Sequence, residues 1–582
     1  MTKERRNPDP AAVHEARPEE HVEEAMETWR ERQAARHAGK SFPITVAGGA
    51  LLVVSGLLSW SYDNTILGDI SIRFYPAGIQ IFAMLLGVVA IVLALLCRRT
   101  TTWLNPGRGL LYLGTFTTIT VLIALIAVTV QAGGLININE GGWVALVGAL
   151  LVWAGGVTAR ERDIDVRTWP RLNSYAEIGV VVLAMAVLLW AVAYALNLDD
   201  GVTFFCFLVT LGGLAGALLA AGVGGWFGFI AQQHRQVLML AALAVAFLFP
   251  FTQGGSDANM SIATQIIIFG ATAMGLNIVV GLAGLLDLGY IAFLGTGAYV
   301  GATLSTSSFA TIGWKPPFLV VVLLGACVAA IAGLIIGSPT LRVSGDYLAI
   351  VTLAFGEMFR LSMFNLDGNN GPDLTNGPNG IPAIPDLTIG SFDFGKPHTL
   401  LGIPLGRFSN YYFLLLVLIA FVIMVFVRLN NSRIGRGWVA IREDERAAEA
   451  MGVNVFGLKL LAFAGGAFLA GLAGTIKAHQ DSSVTPDQYV FLESAFLLAA
   501  IVLGGMGTVA GVLVGATILK LLPEKLRGFA DYRLMLFGLL LVLMMRFRPE
   551  GLVASRRRQL EFHEEDEHLA DIVGTEHLEE AK

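Results

Sequence analysis

Apolar runs recur along the whole chain, each followed by a short polar stretch, and that repeat dominates the sequence. A helix needs about 20 residues to cross a hydrocarbon layer of about 30 Å. Runs of roughly that length fall at 44–58, 77–97, 109–129, 143–157, 177–196 and 203–229. A second series falls at 237–251, 262–280, 290–304, 317–336, 348–364, 411–427, 458–476, 491–502, 509–522 and 534–545. The pattern predicts an all-α, polytopic integral membrane protein of about sixteen helical membrane elements, several too short to cross untilted.

The polar stretches fix an expected orientation. Arg98 and Arg99, the arginines of 160–171, Arg235, Arg342, the group from Arg428 to Arg446, and Arg556 to Arg558 share one side if every run crosses once. Lys and Arg in short loops mark the cytoplasmic face, so both termini are expected there. The loop at 523–533, with Lys525, Arg527 and Arg533, breaks the rule. The stretch 365–410 is external on this count, and its Gly, Pro, Asn and Asp favour turns over regular elements. It is a candidate docking surface. Residues 1–40 and the acidic tail 556–582 are too polar to bury a core. Residues 1–40 contain no short apolar run with a cleavage site, so the first membrane helix is expected to act as its own targeting signal. The chain thus reads as a polar N-terminal segment (1–40), about six membrane helices (41–235), a second membrane region (236–555) and the tail.

Composition narrows the function. Apolar residues make up 55% of the 582 and charged residues 14%, and the net charge of −6 gathers into no basic patch. Nucleic acid is therefore not an expected partner. Cys97, Cys206 and Cys327 lie in or beside apolar runs without a Cys or His neighbour at ligand spacing, so no metal is expected. The Gly-Lys-Ser ending at 39–41 lacks the first glycine of a phosphate loop, since residue 34 is Ala, and no strand precedes it. The chain has no nucleotide site or other cofactor of its own on this reading. Ionisable groups in apolar segments are expensive and tend to be functional. Asp287, Glu357 with Arg360 three residues on, and Glu493 qualify, but they are too few for a proton relay. Asn277, Glu357 and Glu493 are the candidates for lining a translocation path. Two segments are dense in glycine: Gly281, Gly284 and Gly289 in the first, Gly504, Gly505 and Gly507 in the second. Both suit close helix packing or a helix broken beside a cavity.

Between two greasy runs lies a charged, helix-forming stretch, 429–456. Trp438, Ile441, Ala448 and Met451 recur near helical period, and Gly452 is placed to end the helix. Arg442 with Glu445, and Arg446 with Glu449, are opposite charges three apart. A helix resting on lipid headgroups favours excess Lys and Arg, whereas residues 441–451 carry four acids against two arginines. A protein partner is the better reading.

At this point the residues resemble a known family. "GRGWVAIREDERAAEAMGVNVFGLKLLAF" is similar to the ATPase-coupling loop of bacterial ABC importer permeases of the branched-chain amino acid type. The family's Glu-Ala-Ala, three residues, Gly spacing is held by Arg446, Ala447, Ala448 and Gly452, with Arg446 in the Glu position and Glu445 beside it. "MGLNIVVGLAGLLDLGYIAFLGTGAY", "LRVSGDYLAIVTLAFGEMFRL", "NGPNGI", "FLESAFLLAAIVLGGMGTVAGVLVGA" and "RPEGL" resemble further segments of that family in the same order, over about 237–552. The match is best to the M-type permease subunit, and residues 41–235 then read as an N-terminal extension of an ABC permease core. The resemblance implies a homologous second permease, two cytoplasmic ATPases that carry ATP and magnesium, an extracytoplasmic substrate-binding protein and a bacterial cytoplasmic (inner) membrane. It implies no catalysis in this chain. Gly435, Arg436, Ile441, Arg442, Glu443, Asp444, Glu445, Ala447, Ala448 and Gly452 are the residues expected at the ATPase-coupling helix. Urea or short-chain amide importers use similar permeases and remain an alternative. A self-sufficient ion-coupled carrier would not need the charged cytoplasmic helix, and nothing specific supports a scaffold or sensor.

Overall fold

The computed structural model describes residues 40–61, 78–98, 103–159, 169–198, 200–340, 347–369, 371–400, 402–525, 533–547 and 550–553. The expectations for residues 1–39, for the tail and for Arg99, Arg160, Arg162, Arg167, Arg342 and Arg527 fall outside these residues. The chain divides into two compact units, up to Val245 and from Ala246.

The first unit is helical. It holds α1 (Lys40–Ser55), α2 (Ile79–Arg98), α3 (Pro106–Ala132), α4 (Glu140–Val157), α5 (Ser174–Asn197), α6 (Gly201–Ala220), α7 (Val223–Gln233) and the start of α8 (Arg235–Thr252). Its helices approach through glycine: a Cβ on Gly48 would strike the Gly148 carbonyl of α4, and one on Gly156 the backbone of Leu111 in α3. The buried Ser41 hydroxyl donates to the Gly155 carbonyl at 2.7 Å, tying the start of α1 to the end of α4. The single apolar run 203–229 is two helices, because Gly222 at φ 92 turns the chain between α6 and α7. Periodicity carries no sign of such a break; only the glycine does.

The second unit contains α9 (Asp257–Asn277), a π-helical turn (Ile278–Leu282), α10 (Ile291–Thr303), α11 (Phe318–Thr340), α12 (Tyr347–Asn365), α13 (Arg407–Asn430), α14 (Arg433–Glu443), α15 (Glu445–Ala450), α16 (Val455–Asp481), α17 (Phe491–Gly504), α18 (Val509–Lys525) and α19 (Arg533–Phe547). Helix α9 is buried along most of its length and serves as the axis. Helices α10, α11 and α16 stack closely, Gly297 on the Gly471 backbone and Gly325 on the Thr475 hydroxyl, which donates to the Gly297 carbonyl at 3.1 Å. Without a hydrophobic drive between helices in lipid, such close approach supplies dispersion contacts that larger residues would prevent.

Among the described residues, twelve helical stretches are long and apolar enough to cross a membrane. The remaining four of the sixteen predicted elements, α1, α10, α18 and α19, are shorter than that. The fold departs from purely helical in the segment after α12, where turns alone are expected. Two short hairpins form there, Thr388–Ile389 with Phe392–Asp393 and His398–Leu400 with Ile403–Leu405. Arg407 clasps this segment by donating to Asp386 at 2.6 Å and to the Ser482 hydroxyl at 2.7 Å. The Gly395 amide and the neighbouring Lys396 hold the Asp393 carboxyl below the usual carboxylate range.

Candidate functional site

The charged stretch folds as two short helices: α14 stops at Glu443, and Asp444, extended at φ −153, caps α15 by accepting the Ala447 amide at 2.9 Å. One continuous helix over 438–451 is thereby corrected. An Asp that can accept from its own N3 amide favours a fresh start over a continued turn. Ser432 caps α14, accepting the Gly435 amide at 3.2 Å, and Gly435 is glycine because a Cβ would meet the Leu429 and Asn430 carbonyls. Gly452, at φ 81, ends α15, with the Val453 amide reaching back to the Ala448 carbonyl at 3.1 Å. That is the αL stop the sequence implies.

Trp438, Ile441 and Ala448 are buried, and the Trp438 indole N–H donates to the Leu458 carbonyl at 2.7 Å. Met451, expected on the same buried stripe, is instead 84% exposed. Helix α15 ends at Ala450, so Met451 lies beyond its last turn, just before Gly452. The intrahelical pairs expected for Arg442 and Arg446 are not made. Glu445 bonds Lys459 of α16 at 2.6 Å, and among the described residues no ion pair joins Arg446 to Glu449. Arg436, Glu443, Asp444, Glu445, Arg446, Ala447 and Glu449 are exposed around Met451 and Phe456, which forms an acidic rim with two apolar tips.

Arg442 points the other way. Its Nη1 donates to the Gly281 carbonyl at 2.8 Å, inside the π-helical turn that interrupts the chain after α9. Its stem lies against Gly284, whose φ of 71 and contact with the Arg442 Cγ leave no room for a side chain. A guanidinium bonded to a carbonyl contributes about 1.5–3 kcal/mol net, so this is a firm attachment between the α14–α15 pair and the broken helix. Gly281 in turn faces the second glycine-rich segment: a Cβ there would strike Asn277 Oδ1 and the Gly507 amide. Asn277 is fully buried, accepts the Gly507 amide at 2.9 Å, and donates to the Thr508 carbonyl at 3.5 Å. The segment carrying Gly504, Gly505 and Gly507 is therefore clamped to the π turn, and Leu552 and Val553 bond its Leu503 and Gly504 carbonyls at 2.9 Å each. Single π turns inside helices recur at functional sites.

The other sequence candidates lie apart from this cluster. Asp287, buried, accepts the Gly289 amide at 2.9 Å and shapes the entry to α10, where a Cβ on Gly289 would fall on the Thr352 carbonyl oxygen of α12. Glu357 pairs with Arg360 at 3.0 Å as the spacing predicts, and Arg360 reaches Asp487 at 3.4 Å. Glu493 pairs with Lys520 of α18 at 3.0 Å. Sequence reading placed Arg442 with the partner-facing residues; its inward bond carried no signal beyond an arginine one turn from a buried Trp438.

Comparison with known proteins shows the family of the chain. The family model described as a branched-chain amino acid transport system permease component matches residues 259–545. The chain is 38% identical over 345 residues to the high-affinity branched-chain amino acid transport system permease protein LivM of Salmonella typhimurium, covering 57% of this chain and 78% of the relative. The LivM protein of Escherichia coli K12 matches to the same extent. The ribose import permease protein RbsC of Haemophilus influenzae is 26% identical over 327 residues, covering 54% of this chain and 92% of the relative. No solved structure matches the chain. With a charged helix pair tied to a broken membrane helix, twelve candidate spans and this coverage of its relatives, the chain belongs to the branched-chain amino acid transport permease family.

Proposed function

We propose that this protein is the membrane-spanning permease subunit of an ATP-driven importer of leucine, isoleucine and valine. It works with a homologous second permease, two cytoplasmic ATPases that bind ATP and magnesium, and an external binding protein. It sits in the bacterial cytoplasmic membrane with both termini inside. The observation that carries this reading is the Arg442 bond to Gly281, because it gives a helix pair at the bundle end a direct hold on a helix interrupted within it. When the ATPases close on ATP, α14 and α15 move together, and the π turn, Asn277 and the Gly507 segment follow. The path between the permeases then switches access as one of two packed arrangements, each favoured by a different partner state. Asn277 thus acts as a link in the moving block, whereas Glu357 and Glu493 remain candidates for the path wall.

Uptake of labelled leucine at sub-micromolar concentration tests the reading. Cells lacking the gene are expected to lose uptake, ATP depletion is expected to mimic the loss, and excess urea or ribose is expected not to compete. Competition by urea or ribose would reassign the substrate, and unchanged uptake in a strain with no second leucine system would overturn the proposal.

The exposed rim makes a separate prediction. Met451 is the large apolar side chain at the tip of α15, and burial of such a side chain at an interface contributes about 1.5–3 kcal/mol. Met451→Glu is expected to weaken copurification of the ATPase subunits at least tenfold while leaving the amount of permease in the membrane unchanged. Full retention of the ATPases would show that they grip elsewhere.

A further inference from the structure

A second polar feature lies at the opposite end of the second unit from the helix pair. Helix α9 starts there and ends at the π turn against Arg442, and Gln480, at the far end of α16, donates to Thr264 of α9 at 3.2 Å. At this end a cavity of about 200 Å³ opens between α9 and α18, lined by Ala258, Ser261, Ile262 and Gln265 on one side and Lys520 and Glu524 on the other. The first four occupy one face of α9 by their i, i+3, i+4, i+7 spacing. None of these four is buried, in a helix that is mostly buried, and the strip alternates small, polar and apolar side chains.

Lys520 and Glu524 are the charged residues of the cavity lining, and Glu493 lies outside that lining as the ion-pair partner of Lys520. Lys520 Nζ is 3.0 Å from Glu493 of α17 and 4.5 Å from the centre of the Phe269 ring, and both partners of the pair are about a third exposed or less. A charged pair within membrane helices faces protein or water rather than lipid, because lipid cannot solvate it. A molecule carrying one carboxylate and one ammonium replaces the Lys520–Glu493 contact with two equivalent ones, and no net charge has to be stripped of its partner. Such a site binds weakly and releases readily, which a conducting path requires.

We propose that this cavity is a low-affinity site for the zwitterionic head of an amino acid, with Lys520 taking the carboxylate, Glu493 the ammonium, and Ala258 and Ile262 facing the aliphatic side chain. The proposal rests on the amino acid importer reading above and adds a substrate contact within the permease itself. An ethanolamine phospholipid headgroup shares the ligand chemistry, and the test separates the two.

The assembled permease–ATPase complex, without binding protein, is placed in nanodiscs free of ethanolamine lipid and studied by saturation-transfer NMR. Leucine, 4-methylpentanoate, 3-methylbutylamine and glycerophosphoethanolamine are offered at millimolar concentration. Transfer to leucine is expected to exceed that to either singly charged analogue at least fivefold, and to fall at least tenfold in a K520M/E493Q double variant. Replacing both members of a pair by uncharged groups of similar size often preserves folding. If the variant does not assemble, the wild-type ligand pattern decides alone. Equal transfer to the singly charged analogues, transfer to glycerophosphoethanolamine in place of leucine, or an unchanged signal in an assembled double variant would each overturn the proposal. Leucine uptake by the complete wild-type importer is measured in parallel. Uptake without saturation transfer defeats the site alone, whereas no uptake defeats the importer reading.

Discussion

Arg442→Ala is expected to reduce ATP-driven leucine uptake at least tenfold while the ATPase subunits continue to copurify. The two halves of that outcome follow from where the side chain points. Its guanidinium donates to the Gly281 carbonyl at 2.8 Å and its stem packs on Gly284, so it contributes to the interior attachment rather than the exposed rim. Removing it deletes a charge-assisted bond and leaves the Gly281 carbonyl without that donor, a loss of about 1.5–3 kcal/mol. That is a factor of ten or more in how firmly the π turn follows the helix pair. Lysine at 442 keeps the charge but replaces a planar fork with a single point of contact, so partial uptake is expected from Arg442→Lys. Uptake at the wild-type level in the alanine variant would remove Arg442 from the transmission. Loss of the ATPases from the purified complex would return it to the docking rim instead.

How legible was this in the sequence? The spans were, because a helix facing lipid must be apolar along about 20 residues, and twelve of the sixteen predicted elements are long and apolar enough for that. The end of α15 was legible as well: Gly452 follows a run of helix formers, and it takes up φ 81. What could not be read is whatever depends on a tertiary partner. The charges of Arg442 and Glu445 sit three apart and predict a pair on one helix, yet each finds a better partner off the helix, Gly281 and Lys459 respectively. Local spacing counts only neighbours along the chain. A surface pair of that kind contributes a few tenths of a kcal/mol, less than a charge-assisted bond to a carbonyl in the interior. Met451 shows the same limit from the other side. Its period matches the buried stripe, as does that of Ala448, but α15 ends at Ala450 and the chain turns at Gly452, so a residue predicted inward stands 84% exposed.

The glycine-rich segments were legible as a signal and ambiguous in meaning, since tight packing and a broken helix both call for glycine. The structure assigns the two roles to different residues. Gly284, Gly505 and Gly507 hold positive φ and belong to the breaks, at 71, 121 and 78°. Gly289 and Gly504 are packing positions, where a Cβ would fall on the Thr352 and Gly511 carbonyl oxygens.

Gly289→Ala is accordingly expected to be the most disruptive single methyl in the second unit. The obstacle at Gly289 is backbone, the Thr352 carbonyl in the middle of α12, with the Gly356 amide also close. A side chain in the way can choose another rotamer, but a helix carbonyl moves only if the helix does. Overpacking of this kind costs about 3 kcal/mol when the backbone itself must shift. Helix α12 also holds Thr352, whose hydroxyl accepts the Leu288 amide at 3.1 Å, so its displacement loosens the turn set by Asp287 as well. Most of the variant is expected to be lost as aggregate on mild detergent extraction, and the remainder to melt well below wild type. Gly465→Ala supplies the contrast. It lies within α16 with nothing near its missing Cβ. Alanine there adds helix propensity, about 0.5–1 kcal/mol, and is expected to leave extraction and uptake intact. If the two alanine variants behave alike, α10 and α12 do not meet through Gly289, and the packing that keeps Glu357 and Arg360 in place beside Asp487 has another origin.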